Sequence, residues 1–337
     1  MLMGGAGHEV SGNAIDGNRI GVLVDAIFGD SDRVLAPLVH DPAWTQQVAA
    51  LLAAGVPAVD HRILDNTLTG NANAGVRMHY HVRGVTVAGN TVTGTGIGRV
   101  PDAAEAAFWA ETLGQAPATP FETTGSGILL YCFPEENRVT GNDVHDNRAI
   151  GILIDIAHRN RVADNRVTGN AHGIVLSSAI GNEVTGNTVS GHAGHGLSVD
   201  GWLWMGLGRS DGNRIWLNDL AGNGTDAFDG AGRLLSAEEI AAQIPLMPWP
   251  EEMRMVYDNP AIALQMAQMM VAQQQVGATA WDDGTHGNRH GLFDEPAEGF
   301  VDRDGDGIGE VPRPIPGGSA VDRFPLSAAG LSAALGR

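Results

Sequence analysis

Three groups of residues in this chain have types and spacings that suit chemistry. The densest is Asp302-Arg303-Asp304-Gly305-Asp306-Gly307-Ile308-Gly309-Glu310. Carboxylates at alternate positions followed by a glycine form the first half of a calcium loop, because a hard cation gathers several oxygens and the glycine permits the turn that brings them together. In this reading Asp302, Asp304 and Asp306 supply side-chain oxygens, Ile308 its backbone carbonyl, and Glu310 a direct or water-mediated ligand. Arg313 stands where an EF-hand carries its bidentate acid, so a complete EF-hand is excluded.

The second group recurs along the chain. Four residues after a series of strand-opening glycines stand Asp25, His79, Tyr131, Asp155, Ser177 and Asp200. Positions one and three after each glycine, such as Ile152 and Ile154, are apolar and take the interior face, so positions two and four are expected to point outward. The column would form an outer ridge able to hold a polymer; the plainer reading is a row of ordinary solvated residues at strand ends. In stacked rungs Asp155 and Asp200 lie two steps apart, roughly 10 Å, a separation that suits inverting hydrolysis. With His79 and the neighbouring Arg77, these carboxylates make a catalytic candidate for a polysaccharide lyase, epimerase or glycoside hydrolase.

The third group suits copper. His172 and His195 occupy one repeat position, His192 is close by, and Met247, Met253, Met255, Met266, Met269 and Met270 crowd a single segment. Imidazole and thioether ligands favour copper, Met especially Cu(I), although methionines at helical spacing also pack well as flexible apolar side chains. No Gly-rich phosphate loop, nucleophile elbow or zinc-protease helix is present in the sequence, so a Ser or Cys hydrolase has no support.

These residues need a repeating frame to align them. Asn137, Asn160 and Asn182 recur at spacings of 23 and 22, as do Asn142, Asn165 and Asn187, while Gly151, Gly173 and Gly196 each open an alternating apolar strand. Each unit reads Asn-x-Val-x-x-Asn-x-Val-x-Gly-Asn, a turn, then Gly-Ile-x-Ile. Gly and Asn at the bends tolerate left-handed backbone, and short alternating strands between them predict an all-β solenoid, a right-handed single-stranded parallel β-helix with rungs of about 22 residues. Stacking then places Val and Ile in interior columns and lets each Asn amide hydrogen-bond along its own column. Rungs are expected over residues 1–232, interrupted by short helical insertions at 28–62 and 99–123 that Pro42 and Pro101 open. A longer helical insertion follows over 233–276, starting at Ser236 with Pro260 opening its Met-rich part, and an acidic tail over 277–337 packs on the solenoid.

Composition narrows the partners. The formal net charge is −19, from 39 acidic and 20 basic residues, which repels nucleic acid and anionic lipid. A single cysteine, Cys132, excludes an internal disulfide framework and a Cys-based metal cage. No apolar run is long enough to span a membrane, and the N-terminal residues lack the basic and apolar regions of a secretion signal. A solenoid needs a cap over its first rung, so the chain is expected to be a fragment whose signal and first rungs lie upstream.

The C-terminal segment carries a resemblance. Trp281-Asp282-Asp283-Gly284-Thr285-His286-Gly287-Asn288, the Asp302–Glu310 run, Ile315-Pro316-Gly317-Gly318 and Asp322-Arg323-Phe324-Pro325-Leu326 together resemble the closing segment of NosD-like parallel β-helix repeat proteins. After Gly287-Asn288, where that family carries a Tyr-Trp-Ser-Asp-Tyr-like run, this chain has Arg289-His290-Gly291-Leu292-Phe293. The resemblance implies a right-handed β-helix exported to the periplasm or cell surface. For the family's founding members it also implies a part in maturing a copper enzyme, the nitrous oxide reductase, beside an ABC transporter. The expected function is therefore a binding or metalloenzyme-maturation scaffold with calcium in its tail, copper as a further cofactor, and a polysaccharide or protein as partner. The alternative is a carbohydrate-active enzyme using Asp155, Asp200 and His79.

Overall fold

The computed structural model describes residues 2–26, 57–96, 125–200, 210–244, 256, 258–271 and 276–337. The helices expected around Pro42 and Pro101 lie outside these residues, as do Met247, Met253 and Met255. The described strands stack into three parallel sheets of eight. The first contains Leu2–Met3, Ile20–Asp25, Ala74–His79, Ser126–Tyr131, Ile150–Asp155, His172–Ser177, His195–Asp200 and Thr225–Asp229, each paired with the next rung. The second runs from Glu9–Ser11 to Thr279–Ala280 and the third from Ala14–Asp16 to Arg289–His290. The protein is thus an all-β parallel β-helix, and the right-handed crossover that parallel strands require sets its hand.

Register explains the repeat. Val139, Val162 and Val184 pair across the second sheet, and Val144, Val167 and Val189 across the third; all are fully buried in one continuous core. The strand-opening glycines prove to be close-approach positions. A Cβ on Gly151 would meet Val167 Cγ1 at 2.4 Å and the Gly173 carbonyl oxygen at 2.9 Å, so no larger residue fits where the first sheet turns against the third.

The corners between sheets are held by asparagine columns. Asn142 Nδ2 donates to Asn165 Oδ1 at 2.9 Å, Asn165 to Asn187 at 2.9 Å and Asn187 to Asn218 at 2.9 Å, and each amide also donates to a main-chain carbonyl. The column continues into the tail, where Asn218 Nδ2 donates to Asn288 Oδ1 at 2.9 Å. Buried amides are stable here because the rungs on either side satisfy them: one Nδ2 hydrogen goes to the next rung's amide oxygen, the other to a carbonyl of the preceding rung, and the Oδ1 accepts from the preceding rung.

The C-terminal residues therefore do more than pack on the solenoid, since they build its last strands and close it. Trp281 is fully buried at the end of the core and donates from Nε1 to Asp229 at 2.8 Å. Ser236 caps the helix Ala237–Gln243 with Glu239 completing the reciprocal bond, and this helix packs on the helix Pro260–Val271 through Ile240, Ile244, Ala263 and Ala267. None of the described helices is long and apolar enough to cross a membrane.

Candidate functional site on the outer face of the first sheet

The strand register brings the expected column together. Asp25 pairs with His79, His79 with Tyr131, Tyr131 with Asp155, Asp155 with Ser177 and Ser177 with Asp200. Asp155 and Asp200 thus stand two rungs apart. The column does not form a solvated ridge, however. Asp25 and Asp155 are only 5% and 8% exposed, and Ser177 is buried beside them. The residues two positions earlier explain this, because Leu129, Leu153 and Val175 form a buried apolar strip on the same outer face, joined by Ile20, Ile150 and Tyr131. A strand that is apolar on both faces is built to be covered on both, and Gly-Ile-Leu-Ile and Gly-Ile-Val-Leu in the sequence carry that signal.

Burial changes the chemistry of the polar groups beside the strip. It pushes the Asp155 carboxyl up to about 6, against a hydrogen bond from Ser177 that favours the ionised form. It holds the His79 imidazole below its ordinary value, opposed by Asp25, whose Oδ2 lies 3.5 Å from His79 Nδ1. The Tyr131 phenol is raised by burial, and so is the thiol of Cys132, to about 11. Tyr131 lies parallel to His79 with ring centroids 5.4 Å apart, Tyr80 tilts over His79 at 3.8 Å, and the Arg77 guanidinium sits 5.5 Å from the Tyr131 ring centre. Asp25 Oδ1, Arg77 Nε and Asp155 Oδ1 are buried without a hydrogen-bond partner. Three buried polar atoms without a partner on one face are costly for folding, and such a cost marks this face as a candidate for function.

The acidic loop is also assembled. One carboxylate oxygen from each of Asp302, Asp304 and Asp306 can be chosen so that the three lie within 4.8 Å of one another. Asp302 accepts from Gly305 N at 2.7 Å and Gly307 N at 2.9 Å, and Asp306 accepts from Ile308 N at 2.8 Å. Glu310 turns elsewhere, its Oε1 accepting from Arg303 N at 3.0 Å. The loop is clamped to the chain end by Ser327 N, which donates to the Gly307 carbonyl at 3.0 Å, and Ile308 bridges Leu326. An all-oxygen donor set suits calcium and is foreign to copper.

The histidines and methionines do not assemble into a copper site among the described residues. His192 substitutes for an asparagine in a corner column: Nδ1 accepts from Asn170 N at 3.1 Å and Nε2 lies 3.1 Å from the Val167 carbonyl, so both ring nitrogens are engaged. His172 Nδ1 accepts from His195 N at 3.1 Å, and His195 stacks on Phe228. Met266 and Met270 pack within the helix pair, while Met269 is exposed. Among the described histidine, cysteine, aspartate and glutamate side chains, only the Asp302/Asp304/Asp306 loop gathers three groups able to ligate one metal.

Residues 119–236 match the protein family described as "Periplasmic copper-binding protein (NosD)", so the central rungs of this parallel β-helix are NosD-like. No curated protein matches. Among solved structures, a substituted form of the periplasmic alginate epimerase AlgG is similar at 22% identity, over 51% of this chain and 33% of that one, with a TM-score of 0.40. A second structure of AlgG gives 17% identity over 50% and 42% of the two chains, with a TM-score of 0.35. The chain therefore spans about a third to two fifths of the length of those epimerases.

Proposed function

We propose that the protein is a NosD-like β-helix that works outside the cytoplasm as a binding scaffold, and that the outer face of its first sheet holds a carbohydrate chain. The observation that carries this reading is the half-buried row Arg77, His79 and Tyr131 beside an apolar strip, backed by the unpartnered atoms Asp25 Oδ1, Arg77 Nε and Asp155 Oδ1. A sugar presents hydroxyls that donate and accept, together with apolar C–H faces, and so complements both parts. Periplasmic work is supported by the family that residues 119–236 match. That family's description also names copper binding, but His192 is engaged in a corner column, His172 accepts from His195, and the described methionines of the helix pair pack or stand exposed, so no copper is assigned to them. Calcium is proposed for Asp302, Asp304 and Asp306, with the Ile308 carbonyl completing the set; Glu310 would have to leave Arg303 to join it.

The test is binding of the folded parent, with calcium present, to a panel of neutral polysaccharides and polyuronates, alongside an Arg77→Met/Asp155→Asn double variant. Binding by the parent that the variant loses is the expected result. A folded parent that binds nothing in the panel would remove the reading.

A second reading is catalysis on the bound chain, favoured by the Asp155 carboxyl held near 6. An acid poised there can hand over a proton close to neutral pH, with neutral His79 two rungs away as a further proton carrier. Asp200 would be its partner carboxylate two rungs away. Turnover abolished in Asp155→Asn with binding kept would establish it, whereas binding without turnover in the parent leaves the scaffold.

A further inference from the structure

The corner that follows the first sheet contains a local departure from the repeat. From Asp155 the chain takes three steps to reach His158, which bridges Glu135 in the rung before; from Ser177 it takes three to Ile180, which bridges His158. The two rungs carrying His79 and Tyr131 take four, from His79 to Arg83 and from Tyr131 to Glu135, although both ends remain in register. One extra residue is therefore inserted at the same place in two adjacent rungs. A bulge of this kind bends the chain and re-aims a side chain.

With the insertion, two successive residues of each corner take left-handed backbone where the ordinary rungs have one, Ile156 or Ser178, and the added ones present aromatic rings. Tyr80 and His81 have φ of 53° and 44°, and Cys132 and Phe133 have 59° and 70°. Most other left-handed bends of the solenoid use glycine or aspartate, which bear that conformation more easily than an aromatic residue. The strain is not offset by core burial, because His81 is exposed and Phe133 half-buried. What the bulge achieves is a shelf: His81 and Phe133 stack with ring centroids 5.1 Å apart and planes 13° from parallel, and the His158 ring follows at 6.2 Å. The shelf begins two residues beyond His79 and Tyr131, the imidazole and phenol of the candidate site. Strained backbone that persists beside such groups belongs to functional surfaces more than to packing.

We propose that the rings of His81 and Phe133 form a stacking subsite for a sugar ring of the chain that the first sheet holds; this rests on the carbohydrate reading above. A pyranose ring lays its C–H face on an aromatic plane while its edge hydroxyls reach sideways, here towards the column of Asp25, His79, Tyr131 and Asp155. The rings stand at rung spacing, so the chain crosses the rungs instead of following one strand.

The experiment measures affinity of the full-length protein, by calorimetry, for the polysaccharide that the parent binds best, using Phe133→Gly and Phe133→Trp. Glycine removes the ring and relieves the left-handed strain at once, so it separates binding from folding. Phe133→Gly is expected to bind roughly tenfold more weakly without a lower melting temperature, in line with the worth of one aromatic contact, and Phe133→Trp to keep parental affinity. Parental affinity in Phe133→Gly would overturn the subsite and leave the carbohydrate reading intact. A parent that binds no carbohydrate would overturn both.

Discussion

Burial decides what the Asp155 carboxyl can do and what it costs the fold. Its value is about 6 in the folded protein and near 3.9 in an unfolded chain, so the native state binds the extra proton between about pH 4 and 6. Stability therefore falls as pH rises through that window, and above it Asp155 costs on the order of 2–3 kcal/mol. Asp155→Asn is expected to raise the melting temperature at pH 7.5 and to leave it nearly unchanged at about pH 4, which a pair of thermal melts would check. A gain equal at both pH values would contradict the burial argument. His192 makes the opposite case, since its two nitrogens serve Asn170 and Val167. His192→Asn is expected to fold normally, and His192→Ala to lose about 1–3 kcal/mol in denaturant titration. The single residues Asp155, His79 and Tyr131 were legible in the sequence because strand register is a matter of counting. Their burial was not, because it depends on what lies over Leu129, Leu153 and Val175 rather than on the column's own spacing.

At the scale of elements, the asparagine columns show both what repetition secures and where it fails. Thr95 stands between Asn71 and Asn147, and its backbone N–H donates to Asn147 Oδ1 at 2.9 Å as an asparagine's would. It offers no amide, so Asn71 Nδ2 and Thr95 Oγ1 are both left buried without partners. Thr95→Asn is expected to raise stability by about 1 kcal/mol by restoring the column, a gain measurable in urea titration. The columns were readable from the spacing of Asn142, Asn165 and Asn187, whereas the bulge at His81 and Phe133 was not. An extra residue in a corner resembles ordinary loop variation until the strands on either side are known to stay in register. The acidic loop was legible as Asp-x-Asp-x-Asp-Gly, but the pairing of Glu310 with Arg303 depends on the fold of the loop. Millimolar calcium is expected to raise the melting temperature of the parent and not that of Asp302→Asn/Asp304→Asn; equal shifts in both would place the ion elsewhere.

For the whole molecule, stability is a sum of rungs and of the interfaces between neighbours, so the residues that cap an end supply the interface the last rung would otherwise lack. Trp281 fills the C-terminal end of the core, so Trp281→Ala is expected to cost about 3–5 kcal/mol and to loosen the last strands first. The repeat made the β-helix plain from the chain alone, because one period in three columns admits few other architectures. That the tail supplies the strands Thr279–Ala280 and Arg289–His290 was hidden by the intervening helices, which break the period before it resumes at Asn288. The central claim is that the outer face of the first sheet binds carbohydrate. Hydrogen–deuterium exchange with and without the best-binding polysaccharide tests it most directly. Slower exchange over residues 74–83, 126–135 and 150–158, with the second and third sheets unchanged, is the expected result. Protection confined to the second or third sheet, or to the C-terminal cap, would contradict it.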